Sequence, residues 1–245
     1  MRFQKIANSL LLFNLIVAPP VLAEGDPLIF VDVFGGYQWG QNQDVDIDIP
    51  INGTPGKSSI KDLEVHNGPT FGGRIGSWLK TNPNIGIAID ATHFDSDMDQ
   101  QSAQFSFMPD PTNQSGPGTI GDFRVSNTLA SIDLIIRHRG ERFTPYVMAG
   151  PGIMFSSIDT NGFFTDLVSP KQDDNDVSFG YKAGAGISFK LSDSMHIFTE
   201  YRYIHGSPEY TLERTTDPRN SNLVSADVEI DIDTHMVVGG VSIRF

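Results

Sequence analysis

The 245-residue sequence has no cysteine, which excludes a disulfide scaffold and a cysteine-ligated metal site. Basic residues are few, 17 Lys+Arg against 30 Asp+Glu, and the resulting formal charge of −13 excludes a nucleic-acid-binding surface. Charged residues make up only 19% of the chain against 39% hydrophobic, with 24 Gly and 17 Phe, so the composition is not that of a disordered polymer. After residue 23 nothing approaches the roughly 20 continuous apolar residues of a membrane helix. No long stretch repeats with a period of 3.6 either. A soluble β protein and a closed barrel that crosses a membrane with strands are what these absences leave.

What is present begins with a leader. Arg2 and Lys5 precede the apolar run from Leu10 to Val17, and Val21-Leu22-Ala23 follows. This pattern predicts a secretory signal peptide over residues 1–23. Asn14 and Pro19-Pro20 leave too short an apolar run for an anchoring helix. Residues 24–245 are then expected to form one domain.

Alternating hydrophobics and recurrent glycines predict an all-β chain with eight strands. They run over Leu28–Gly40, Val65–Leu79, Ile85–Phe94, Phe123–Arg137, Phe143–Ser157, Val177–Leu191, Met195–Gly206 and Asp227–Phe245. Their connections alternate in length. Residues 80–84, 138–142 and 192–194 are tight turns, whereas 41–64, 95–122, 158–176 and 207–226 are long and polar. Short turns at one end and long loops at the other are the mark of an antiparallel up-and-down transmembrane barrel, with the long loops outside the cell.

Strand parity separates two faces. In Met195–His205, Ile197, Thr199, Tyr201 and Tyr203 oppose His196, Phe198, Glu200 and Arg202. Glycines at 72, 76, 86, 180, 184 and 186 crowd the charged face, as a narrow interior holding long polar side chains requires. The charged face is therefore read as the lumen. It collects Asp32, Asp90, Asp133 and Glu200 with Arg74, Lys182, Arg202 and Arg244, a balanced set expected to form an interior ion-pair network. Eight strands leave room only for side chains, so the lumen is expected to be plugged. Tyr37, Trp39, Tyr201, Tyr203 and Phe245 fall on the lipid face near strand ends, as an interfacial belt does.

The sequence resembles the OmpA-like and opacity-type family of small outer-membrane β-barrels. The resemblance rests on Pro145-Tyr-Val-Met-Ala-Gly-Pro-Gly152, Gly180-Tyr-Lys-Ala-Gly-Ala-Gly-Ile-Ser188, Glu200-Tyr-Arg-Tyr203 and Gly239-Gly-Val-Ser-Ile-Arg-Phe245. It implies an eight-stranded barrel in the outer membrane of a Gram-negative bacterium, in contact with outer-membrane lipid and lipopolysaccharide. It also implies recognition by the barrel-assembly machinery through the terminal strand, with Val237, Val241, Ile243 and Phe245 as the signal, and surface loops that carry any contact with a surface protein or host ligand. The peptidoglycan-binding domain of longer members is not expected here.

Residues 41–66, 95–122, 158–176 and 207–233 carry −17 in formal charge, an acidic crown that faces cationic partners or is bridged by divalent cations. Two acidic rows alternate with Val and Ile: Asp44, Asp46 and Asp48, and Asp227, Glu229, Asp231 and Asp233. Both read as strands continuing above the membrane and brought to one rim by closure of the barrel. Strict alternation puts them on opposite faces unless a bulge intervenes. They are the one candidate for Ca²⁺ or Mg²⁺; no other cofactor is expected. Free edges on these extensions would suit the addition of a partner's strand.

His205-Gly206-Ser207 resembles the His-x-Ser of outer-membrane lipid A deacylases and gives an alternative reading as a lipid A hydrolase. Pro208 stands where those enzymes carry Asn, and the spacing to Glu209 and Glu213 differs. A narrow passive pore is a third reading, which the balanced lumen disfavours. A non-enzymatic structural or surface-contact protein is the expectation.

Overall fold

A computed structural model describes residues 28–40, 43–51, 54–63, 67–98, 101–108, 115–120, 123–160, 172–217 and 220–245. The expected leader lies outside them. Eight strands close into an antiparallel barrel: β1 (Ile29–Gly40), β4 (Gly68–Trp78), β5 (Ile85–Met98), β8 (Phe123–Arg137), β9 (Phe143–Thr160), β10 (Gln172–Lys190), β11 (Met195–Gly206) and β14 (Ile232–Arg244). Closure joins the first strand to the last. Ile29 N donates to Phe245 O at 3.2 Å and Phe245 N to Ile29 O at 2.9 Å.

The ladder register fixes the shape. Starting at Phe155 and following paired residues through Thr128, His93, Phe71, Gly35, Gly239, Thr199 and Ile187 returns to β9 at Pro145, ten residues lower. A stagger of that size on eight strands tilts them by about 40° from the barrel axis.

Glycine and aromatic side chains share the lumen by position. A Cβ at Gly72 would lie 2.7 Å from Phe34 Cε2, one at Gly86 2.7 Å from Trp78 Cε3, one at Gly186 2.7 Å from Tyr146 Cζ and one at Gly240 2.7 Å from Phe198 Cζ. The inward glycines therefore make room for rings lying against the neighbouring strand, and not only for the long polar side chains expected of them.

The remaining strands correct the reading of the long segments as loops. β2 (Gln43–Ile51), β3 (Thr54–Leu63), β6 (Gln101–Met108), β7 (Ser115–Ile120), β12 (Glu209–Asp217) and β13 (Asn220–Ile230) form a second sheet in the order β12-β13-β2-β3-β6-β7. The expected single strand Asp227–Phe245 is likewise two, broken at Asp231.

Register also corrects the opposite faces assigned to the acidic rows. Gly40 pairs with Thr234, but Val45 pairs with Ile230, so the first strand spends one residue more than its partner over this stretch. One extra residue changes the parity. Asp46 is then paired with Glu229 and Asp48 with Asp227. The two extensions thus pair with each other, and no free edge lies between them.

Candidate functional site in the lumen and at the outer rim

Strand tilt brings side chains that are distant in sequence to one level of the lumen. Lys182 Nζ lies 2.9 Å from Asp133 Oδ2 and 2.8 Å from Asp90 Oδ1. Arg202 joins Asp90, 3.3 Å from Oδ2, to Glu200 through its Nε. Arg74 continues from Glu200 Oε2 at 3.2 Å to Asp32 Oδ2 at 2.8 Å. The result is one unbroken chain, Asp133, Lys182, Asp90, Arg202, Glu200, Arg74, Asp32, with acid and base alternating across six strands. All seven side chains are buried.

Hydroxyls and rings complete the chain. Tyr146 donates to Glu200 Oε2 at 2.6 Å, Thr92 to Asp90 Oδ1 at 2.7 Å and Ser131 to Asp133 Oδ1 at 2.9 Å. The Arg202 guanidinium sits 3.9 Å from the Phe34 ring centroid, and Arg74 lies 5.5 Å from that of Phe198. Buried Phe94, Leu129, Met154, Ile204 and Met236 line the lumen nearer the long-loop end. A cluster of Phe30, Trp78, Ala88, Ile135, Tyr146 and Met148 lies nearer the short turns. The charge is held between two apolar layers, where water cannot screen it.

Arg244, the fourth base of the expected set, is not in this chain. Its Nη2 is 3.5 Å from Ser188 Oγ, and among the described residues it makes no ion pair. Sequence parity could have found Tyr146 and Phe34 as well, since both alternate onto the charged face as Phe198 does. At the short-turn end, an exposed pair of Lys190 Nζ and Asp193 Oδ1 at 2.6 Å holds the Asp193 carboxyl below its ordinary pKa through that hydrogen bond.

At the outer rim, polar side chains interrupt the apolar exterior. His205 Nδ1 is 2.9 Å from Asp233 Oδ1, which also accepts from Tyr203. Ser207 donates to Asp231 Oδ1 at 2.6 Å. The hydroxyl and the imidazole of the His-x-Ser motif thus hold different carboxylates. Tyr201 Oη and His235 Nδ1 are 2.5 Å apart, and Trp39 stacks on His235 at 6.4 Å. On the far side His93 Nδ1 meets Thr128 Oγ1 at 2.9 Å. His93 and His235 were not singled out from sequence, although alternation places both on the lipid face.

The terminal-strand residues Val237, Val241, Ile243 and Phe245 are all exposed on the outside. Of the acidic rows, the side chains of Asp44, Asp46, Asp48 and Asp227 lie outside the described residues. Among the described residues no group of three or more His, Asp or Glu is placed to hold a metal ion.

A family model described as the outer membrane protein beta-barrel domain matches residues 34–245. The outer membrane protein OprG from Pseudomonas aeruginosa is similar in structure, with a TM-score of 0.52 and 16% identity over 90% of this chain and 98% of that one. The outer membrane protease OmpT from Escherichia coli is similar at a TM-score of 0.50 and 10% identity, over 93% of this chain and 100% of that one. At such identities the likeness is one of fold. No curated protein matches the sequence.

Proposed function

Because the chain belongs to the outer-membrane β-barrel family, we propose that it is a surface-contact, adhesin-like or structural protein whose working part is the sheet it raises above the barrel. The observation that carries this reading is the division of labour between the two sheets. Eight strands close around a filled lumen, and six more form a second sheet outside that closed barrel. A pore needs a continuous wet path, which a buried ion-pair chain between apolar layers opposes.

The partners that fit are outer-membrane lipid and lipopolysaccharide around the wall, the assembly machinery at the terminal strand during insertion, and a surface protein or host ligand at the sheet. Divalent cations bridging the acidic rows belong to the same proposal, since like charges directly opposite in a ladder repel. Hydrolysis of lipid A at Ser207 is less well supported. A hydroxyl nucleophile needs its base within hydrogen-bond reach, and Ser207 donates to Asp231 instead.

Replacing residues 43–63 and 101–120 by short Gly-Ser turns tests the proposal. The shortened protein is expected to keep the slower or faster gel mobility that distinguishes an unheated barrel from a boiled one, and to lose binding of expressing cells to host cells or matrix. Undiminished binding by the shortened protein, or none by the full-length chain, defeats the reading.

A further inference from the structure

The short-turn, periplasmic end of the lumen contains a cavity of about 30 Å³ whose wall includes Asp32, Arg74, Trp78, Arg137, Ser188 and Arg244. Three guanidiniums face it against one carboxylate, a formal excess of two positive charges. Arg74 is committed to Asp32 and Glu200. Arg137 lies flat on Trp78, 3.5 Å from the ring centroid. Among the described residues, three polar atoms of this wall's side chains have no hydrogen-bond partner: Arg244 Nε, Trp78 Nε1 and Asp32 Oδ1. Trp78 is 6% exposed and Asp32 3%. Buried polar groups are almost always hydrogen-bonded, so two donors and one acceptor around a single cavity describe the complement of a guest.

That complement offers at least two acceptor oxygens and one proton, and it carries negative charge. We propose that the cavity is a binding site for a phosphate group presented from the periplasm. Two phosphate oxygens accept from the Trp78 indole N–H and the Arg244 Nε–H, and the protonated oxygen of hydrogen phosphate donates to Asp32 Oδ1. A carboxylate has no proton for Asp32 and fits less well. A water-sized group needs about 10–15 Å³ of such space, so the cavity admits two oxygens, and the rest of the guest stays toward the mouth. The field along the barrel favours this end. Residues 41–66, 95–122, 158–176 and 207–233 carry −17, whereas Lys80, Arg139, Arg142 and Lys190 flank the short turns against only Glu141 and Asp193. Anions are repelled from one mouth and drawn to the other.

The chain has two tryptophans, Trp78 in the cavity and Trp39 on the lipid face, which supply a probe and its control. The full-length protein, labelled with ¹⁵N and held in uncharged maltoside micelles, is titrated with inorganic phosphate at pH 7 and constant ionic strength. The Trp78 indole resonance is expected to move saturably while that of Trp39 stays. Acetate should bind at least fivefold more weakly. Arg244→Gln, checked for folding by its gel mobility, should weaken phosphate binding tenfold or more; if that variant does not assemble, Arg137→Gln is read in its place with the same expectation. A soluble short-chain phosphatidic acid, whose monoester phosphate still carries a proton near pH 7, forms a second arm: a Trp78 shift with this lipid alone assigns the phosphate to a headgroup, and one with inorganic phosphate assigns it to a free solute. The proposal is overturned if neither phosphate moves Trp78, if the shift is linear or shared with Trp39, if chloride reproduces it, if acetate binds as tightly, or if the arginine variant binds unchanged.

Discussion

Lys182→Met is expected to cost the barrel about 3–5 kcal/mol, the usual consequence of removing one partner from a buried ion pair. Lys182 is the bridge between Asp90 and Asp133, within 2.9 Å of both. Without it Asp133 is left with the Ser131 hydroxyl and Asp90 with Arg202 and Thr92. Both carboxylates stay fully buried, so the cost is that of charge left uncompensated, and lost contact area is minor. Urea unfolding of the detergent-folded protein measures it. The double variant Lys182→Met, Asp133→Asn should recover much of the loss, because the remaining carboxylate still has Arg202. A single variant as stable as the parent would show that the chain of charges contributes little.

The second large effect is geometric. Gly36→Ala is expected to prevent assembly, whereas Gly35→Ala, one residue away, should be tolerated. A Cβ at position 36 would fall on the carbonyl oxygen of Val237 and 2.7 Å from Val238 Cα, both backbone atoms that no rotamer change can move. At position 35 the nearest atom would be 3.7 Å away. The same contrast recurs at Gly240, where Phe198 and the Val33 carbonyl crowd the site, and at Gly239, where the nearest atom would be the Phe198 carbonyl oxygen at 3.7 Å. Overpacking of this kind costs about 1–3 kcal/mol where side chains can yield, and more is expected where only main chain is available. The fraction of heat-modifiable protein recovered from membranes reads the outcome. Equal recovery of the two alanine variants would refute the assignment of inward and outward positions.

Much of the barrel was legible because lipid and lumen impose a period of two on every strand. In Met195–Gly206 parity alone separates Ile197, Thr199 and Tyr201 from Phe198, Glu200 and Arg202, and eight strands with short turns at one end follow from the spacing of such runs. Which charges meet was not legible. Arg74 and Glu200 are 126 residues apart, and their meeting depends on a stagger that no single strand encodes. The same ignorance of register placed Arg244 in the chain of pairs, although it sits at the short-turn end beside Ser188. The outer sheet was missed for another reason. Outside the membrane no lipid forces one face to be apolar, so rows such as Asp44 to Ile49 were recognised only as extensions, and segments such as Ser115–Ile120 only as loops. A single additional residue after Gly40 then sufficed to reverse the face assigned to an acidic row.

The apolar exterior is not equally tall around the barrel, and this bears on how the molecule sits in its lipid. On β11 the outward side chains turn polar at His205, which is paired with Tyr181. On β10 they continue past Tyr181 through exposed Phe179 to exposed Val177, and on β9 to exposed Phe155. Paired residues step down by about 3 Å from each strand to the next in this direction, so the four further residues leave this wall about 7 Å taller than the histidine level. A slab of uniform thickness cannot match both walls of an upright cylinder, and tilting is the cheapest accommodation of such mismatch. The barrel axis should therefore lean so that the β9–β10 wall sinks toward the hydrocarbon and the histidine-bearing wall rises. Quenching by acyl-chain spin-labelled lipid should then reach a tryptophan introduced by Phe179→Trp as strongly as one introduced by His235→Trp, each made on a Trp39→Phe background. An upright barrel would leave the first at headgroup depth and weakly quenched. A lean of this kind also carries the outer sheet away from the membrane normal, toward one side.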